Sequence, residues 1–169
     1  MKQNYTRTLV VAALMAAMTC TCTMIVKIPI PATGGYINLG DGMVLLSGIV
    51  LGPVYGGLSA GLGSALADLL SGYALWAPAT FVLKGLMAVV VSLMIKTCAK
   101  ATFTRTLSAG LLAEFIMVAG YFGYETVIIN LTGALVGLAG NAIQGVGGIV
   151  VAMIFLPLIR RLNISDLRK

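Results

Sequence analysis

Residues 41–70 read DGMVLLSGIVLGPVYGGLSAGLGSALADLL, an apolar run with one acid at its start, one near its end and no other charge. Gly52-Pro53 interrupts it, because proline lacks an N–H and its ring clashes with the preceding helical turn. The stretch predicts two helices, Asp41 to Leu51 and Val54 to Leu70, meeting at that break. The first would cover only about 18 Å at the usual helical rise, short for a bilayer crossing. The second carries Gly56, Gly57, Ala60, Gly61, Gly63, Ser64, Ala65 and Ala67. In lipid, apolar side chains gain little by association, so small residues that let backbones approach mark a packed face. This second helix belongs at the centre of a bundle.

The rest of the chain extends the same pattern. Its 169 residues are 59% apolar and 9% charged, and the mean hydropathy is +1.03. Soluble domains carry roughly a quarter charged residues. Further apolar runs fall at Thr8 to Val26, Pro78 to Ile95, Leu107 to Ile129 and Leu138 to Ile159. The expected fold is all-α, an integral membrane bundle of six transmembrane helices forming a single domain over residues 1–169. The first run exceeds the apolar stretch of a signal peptide and reads as a retained helix. Lys27 to Gly40, with Pro29, Pro31, Gly34 and Gly35, reads as a loop. Tyr73 and Trp76 suit an interfacial belt, and Pro78 suits a first helical turn. The two Gly-rich stretches do not align, which disfavours an inverted-repeat transporter.

Charge placement sets the orientation. Nine of the eleven Lys and Arg residues, Lys2, Arg7, Lys96, Lys100, Arg105, Arg160, Arg161, Arg168 and Lys169, fall at the two termini and in one connection. These lie on one side of a six-span chain, and the positive-inside rule makes that side, with both termini, cytoplasmic. A multi-pass protein of the bacterial plasma membrane is expected, and the net charge of +6 is topological and not a nucleic-acid footprint. The chain has no histidine, which excludes His-based metal sites, Ser-His-Asp triads and Cys-His dyads. Cys20 and Cys22 point to different faces of one helix and Cys98 lies near the other membrane surface, so neither a disulfide nor a metal site is expected.

The remaining charges are costly in a bilayer and mark a solute path. Glu114, Tyr121 and Glu125 share one stripe of the fifth span, and Asn141 and Gln144 share a face of the sixth. Rise per residue puts Lys84 about 9 Å below the outer end of the fourth span, bracketed by Glu125 and Tyr121. A Lys84 to Glu125 pair in an outward-facing polar pocket, lidded by Lys27 to Gly40, is expected. These groups either neutralise and join one another or hold a solute. Buried pairs stabilise weakly, which favours the solute. Glu114 lies deeper and is open between packing and function. Asp41 reads as a helix cap over a solute contact, Asp68 as a solvated end charge over a functional group, Lys27 as a snorkelling cation over a lock on the loop, and Tyr36, Tyr73 and Trp76 as interface anchors or ring-stacking groups. Ala12, Ala13, Ala16 and Ala17 form a small-residue face on the first span, for bundle packing or for another membrane protein, with Met15 and Met18 beside it.

The runs Ile37-Asn38-Leu39-Gly40-Asp41, Leu51-Gly52-Pro53, Gly63 to Leu69, Trp76-Ala77-Pro78 and Lys84-Gly85 resemble the substrate-binding S components of energy-coupling factor (ECF) transporters, nearest the riboflavin-type branch. Glu114, Gly120 to Glu125 and Asn141 to Gln144 continue the resemblance over nearly the whole chain. It implies a non-enzymatic subunit for vitamin uptake, partnered by a transmembrane coupling subunit and two ATP-binding subunits that hold the ATP, with no cofactor of its own. The resemblance maps the coupling contact onto Ala12, Ala13, Ala16 and Ala17. It puts the solute site at the loop after the first helix and the last three helices, so the candidates are Lys84, Tyr121, Glu125, Asn141, Gln144, Trp76, Tyr36 and Asn38. The expected solute is pyridoxine or hydroxymethylpyrimidine, then riboflavin. Two competing classes are an intramembrane lipid-modifying enzyme using Glu114 or Glu125 as a base, which lacks a nucleophile-base pair, and a scaffold without ligand.

Overall fold

The computed structural model describes residues 2–96 and 101–161; Cys98, Lys100, Arg168 and Lys169 lie outside them. In chain order the elements are α1 (Lys2–Ile25), β1 (Lys27–Ile30), β2 (Gly35–Asn38), α2 (Asp41–Leu70), α3 (Ala77–Met94), α4 (Phe103–Ile128) and α5 (Leu131–Arg161). Among the described residues, five helices are long and apolar enough to cross a membrane.

The anticipated break in α2 is a reversal of the chain. Gly52 has φ 82° and ψ −175°, a backbone region that L side chains avoid. Residues on either side of it then meet. A Cβ placed on Gly56 would stand 2.6 Å from the Ser47 carbonyl oxygen and 3.0 Å from Gly48 Cα. A straight helix would hold residues so spaced about 13 Å apart along its axis. The two arms of α2 therefore lie side by side, and Asp41 and Asp68, at their far ends, reach the same end of the bundle.

Small residues make α2 the centre. In its apolar window 78% of residues are buried, against 28% to 39% in the other four helices. Gly48 sits against the Ala88 backbone of α3, Gly61 against Phe81, and Gly63 against the Ala16 carbonyl and Thr19 of α1. Leu58, Leu62, Leu66 and Leu69 point outward. On this second arm small groups pack inside and large apolar ones face outward, whereas the first arm buries Met43, Val44, Leu45, Leu46, Ile49 and Val50 in the core.

The segment Lys27 to Gly40 is more ordered than a loop. Antiparallel strands pair Lys27 with Asn38, Ile28 with Ile37, Pro29 with Tyr36 and Ile30 with Gly35. The Ile30 carbonyl closes the turn by accepting from Thr33 N at 3.1 Å and Gly34 N at 3.0 Å, with Gly34 at φ 65°. Lys27 Nζ donates to Ser71 Oγ at 3.0 Å, tying the hairpin to the end of α2. Two helices also start earlier than hydropathy suggested. Thr102 Oγ1 caps α4 through Arg105 N, and Asn130 Oδ1 accepts from Gly133 N at 2.8 Å at the head of α5.

Candidate functional site

Where the hairpin covers the ends of the helices, one cavity of about 30 Å³ is lined by all eight candidate side chains: Tyr36, Asn38, Trp76, Lys84, Tyr121, Glu125, Asn141 and Gln144. Thr23, Ser64, Asp68 and Thr80 complete its polar wall. Spacing explains two of these additions: Ser64 lies four residues before Asp68, and Thr80 four before Lys84, so each pair shares a helix face.

The expected Lys84 to Glu125 pair does not form. Lys84 Nζ instead donates to Asp41 Oδ1 at 2.5 Å, with both side chains buried. Gly40 is the cap residue of α2, and Asp41, fully buried, faces inward. Depth along the helices matches Lys84 with α4, but folding α2 back on itself brings a nearer carboxylate. Asp41 Oδ2 also accepts from Gln144 Nε2 at 2.8 Å. The Gln144 carbonyl in turn accepts from Asn38 N at 2.9 Å and Asn38 Nδ2 at 3.2 Å, and Asn38 Oδ1 accepts from Gly40 N at 2.9 Å. One chain of hydrogen bonds thus runs from α3 through α2 and α5 to the hairpin.

Asp68 is not the solvated end charge expected of it: it is 4% exposed, and its Oδ1 accepts from Tyr36 OH at 2.6 Å. Burial first, and then the Asp68 carboxylate, push the Tyr36 phenol well above its ordinary pKa, so it stays a donor. Tyr36 also packs against Tyr73, with ring centroids 4.5 Å apart and the planes tilted by 44°. Tyr121 OH shares a 2.8 Å hydrogen bond with Thr80 Oγ1, and its ring lies 5.4 Å from the Lys84 ammonium. Trp76 is buried, edge-on to Tyr124 at 5.7 Å. Lys27 is exposed, and its bond to Ser71 Oγ makes it a lock on the hairpin.

The glycines of α5 have a purpose that composition did not reveal. A Cβ on Gly137 would overlap Glu125 Oε2, one on Gly145 would press on Glu114 at 3.0 Å, and one on Gly148 would lie 2.8 Å from Glu114 Oε1. The Gly-rich face is a trough that admits the carboxylates of α4. Glu114 itself lies outside the cavity wall, buried, with neither oxygen hydrogen-bonded.

The small-residue face of α1 divides. Ser59 Oγ donates to the Ala12 carbonyl at 2.9 Å and Gly63 packs on Ala16, so these two alanines serve the bundle. Ala13 and Ala17 are exposed, flanked by Val10, Leu14 and Met18.

An apolar helical bundle with a small polar chamber at one end has the build of a membrane protein with an internal polar site. The family model for the ECF-type riboflavin transporter, S component, matches residues 3–161, and the chain belongs to that family. It is a multi-pass membrane S component, the binding subunit of a vitamin transporter and not an enzyme. A protein of Pyrococcus woesei, described as an uncharacterized protein in gap 3' region, is 40% identical over 135 residues, 80% of this chain and 88% of that one. Two solved structures share the fold. An S component of a bacterial ECF transporter superposes with TM-score 0.68 at 23% identity, covering 94% of this chain and 96% of the other. The S-component for biotin from an ECF-type ABC transporter gives 0.73 at 20% identity, covering 96% and 93%.

Proposed function

We propose that this chain captures a B vitamin or vitamin precursor from outside the cell, pyridoxine or hydroxymethylpyrimidine first and riboflavin second. It delivers the solute through an ECF transmembrane coupling subunit driven by two ATP-binding subunits, which hold the ATP. The two arms of α2 cross the membrane separately, making six spans in the plasma membrane with both termini cytoplasmic. Ala13 and Ala17, with Ala12 and Ala16 behind them, face the coupling subunit.

The observation that carries this reading is the convergence of eight buried candidate side chains, drawn from the hairpin, the α2–α3 connection, α3, α4 and α5, on one chamber. Convergent polar groups in a concave site fix the orientation of a small molecule, and this wall is mostly polar, with Ile30 and the rings of Tyr36, Trp76 and Tyr121 as its apolar part. At about 30 Å³ the chamber has room for one or two waters, so a vitamin enters only when the hairpin residues Ile30, Tyr36 and Asn38 move away. A thermal-shift screen of B vitamins on the purified protein tests the proposal. One vitamin should raise the melting temperature, and Gln144→Ala or Glu125→Ala should abolish that rise. A scaffold would show no response to any vitamin.

A further inference from the structure

Most polar groups of the chamber are already committed to one another. Lys84 and Asp41 neutralise each other, Gln144 is engaged at both ends, Asn38 closes on Gln144 and Gly40, and Tyr121 closes on Thr80. Four atoms of the wall lack a partner in good hydrogen-bond geometry: Asp68 Oδ2, Glu125 Oε2, Asn141 Nδ2 and Ser64 Oγ, with Asn141 beside Glu125 and Thr80 beside Asp68 as polar neighbours. Their residues are between 2% and 6% exposed. Buried polar atoms are normally paired, so four unpaired ones around a single cavity describe the complement of a ligand.

With both carboxyl groups ionised, that complement has a definite sign. Two of the four atoms are then carboxylate oxygens, which accept; one is an amide nitrogen, which donates; the hydroxyl does either. The single cation in the wall is held by Asp41, so it offers no free charge to an anion. An incoming carboxylate or phosphate would face two acceptors, with Asn141 Nδ2 and Ser64 Oγ as the donors left to it. An N–H or O–H group would meet a waiting acceptor at Asp68 and another at Glu125.

We infer that the chamber selects an uncharged or cationic ring that donates at least two hydrogen bonds and accepts one, and that it rejects vitamins carrying a carboxylate or phosphate. The inference rests on the substrate-binding reading and names its substrate class. Aminopyrimidines and hydroxymethyl or aminomethyl pyridines meet the requirement. Biotin, pantothenate and nicotinate, each with a carboxylate, do not.

The test is calorimetric titration of the full-length protein in detergent with matched pairs differing by an anionic group: riboflavin against its 5'-phosphate, pyridoxine against its 5'-phosphate, and nicotinamide against nicotinate, together with thiamin, hydroxymethylpyrimidine, biotin and pantothenate. The tightest ligand should lack an anionic group, and its phosphorylated or carboxylated counterpart, where the panel has one, should bind at least 100-fold more weakly. Asp68→Asn and Glu125→Gln, which keep shape but replace an acceptor oxygen by a donor nitrogen, should each weaken that ligand at least tenfold while the protein elutes as the wild type does. Tightest binding of an anionic vitamin overturns the inference and leaves the substrate-binding reading intact. Wild-type affinity in both variants also overturns it, and would mean that Glu125 and Asn141 close on each other. Binding of nothing in the panel removes the substrate-binding reading and the inference with it.

Discussion

Replacing Lys84 by Met removes the ammonium and keeps most of the side-chain volume. It strands the Asp41 carboxylate, which is fully buried, with Gln144 Nε2 as its remaining charge-assisted contact. Breaking a buried pair by deleting one partner costs roughly 3–5 kcal/mol, because an uncompensated charge stays in a low-dielectric site. For a chain of this size each kcal/mol shifts Tm by about 2–4 °C, so the variant should melt roughly 6–20 °C below the wild type. Trp76, the only tryptophan, is buried edge-on to Tyr124 and reports the transition by fluorescence. The decisive comparison is a double-mutant cycle with Asp41→Asn. Neutralising both partners should recover most of the loss, giving a coupling energy of about 2 kcal/mol or more, within the range for residues in one network. A parallel cycle of Lys84→Met with Glu125→Gln should give a coupling near zero. Strong coupling to Glu125 and none to Asp41 would refute the pairing and, with it, the placement of the first arm of α2 beside α3.

Three further outcomes are expected. Gly52→Ala forces a Cβ into a backbone region open mainly to glycine and should cost about 1–3 kcal/mol in thermal unfolding, with a neutral result arguing against the reversal of α2 at that residue. Glu114→Met, which removes a buried carboxylate with both oxygens unpaired, should stabilise the protein by about 1–3 kcal/mol, and a lower Tm would show that Glu114 has a partner when folded. Ala13→Trp with Ala17→Trp should leave vitamin binding unchanged but abolish copurification with a coexpressed coupling subunit; intact assembly would move the contact off α1.

The legibility of the site followed the range of the interactions involved. Tyr121 and Glu125 on one stripe, and Asn141 and Gln144 on one face, were readable because helical periodicity is local. Asp41 and Asp68 were misread as a cap and an end charge for the same reason: each sits at a helix end, where solvent contact is the local expectation. Nothing nearby in sequence announces that Lys84 and Gln144 enclose Asp41 or that Tyr36 of the hairpin reaches Asp68. The strand pairing of Lys27 to Asn38 was hidden by Pro29, Pro31 and the flanking glycines, which signal a loop unless the Tyr36 hydroxyl has an acceptor to reach across to.

By itself the chain's order of residues determined a membrane bundle, its apolar segments, its break at Gly52-Pro53 and the set of polar side chains worth suspecting. Those follow from hydropathy and from backbone sterics, which act residue by residue. Which carboxylate neutralises Lys84, which alanines of α1 stay exposed and which cavity atoms remain unpaired were decided by tertiary packing. Pairing energies depend on distances of a few ångströms between groups up to 106 positions apart, as Asn38 and Gln144 are, and such distances exist only once the helices have packed.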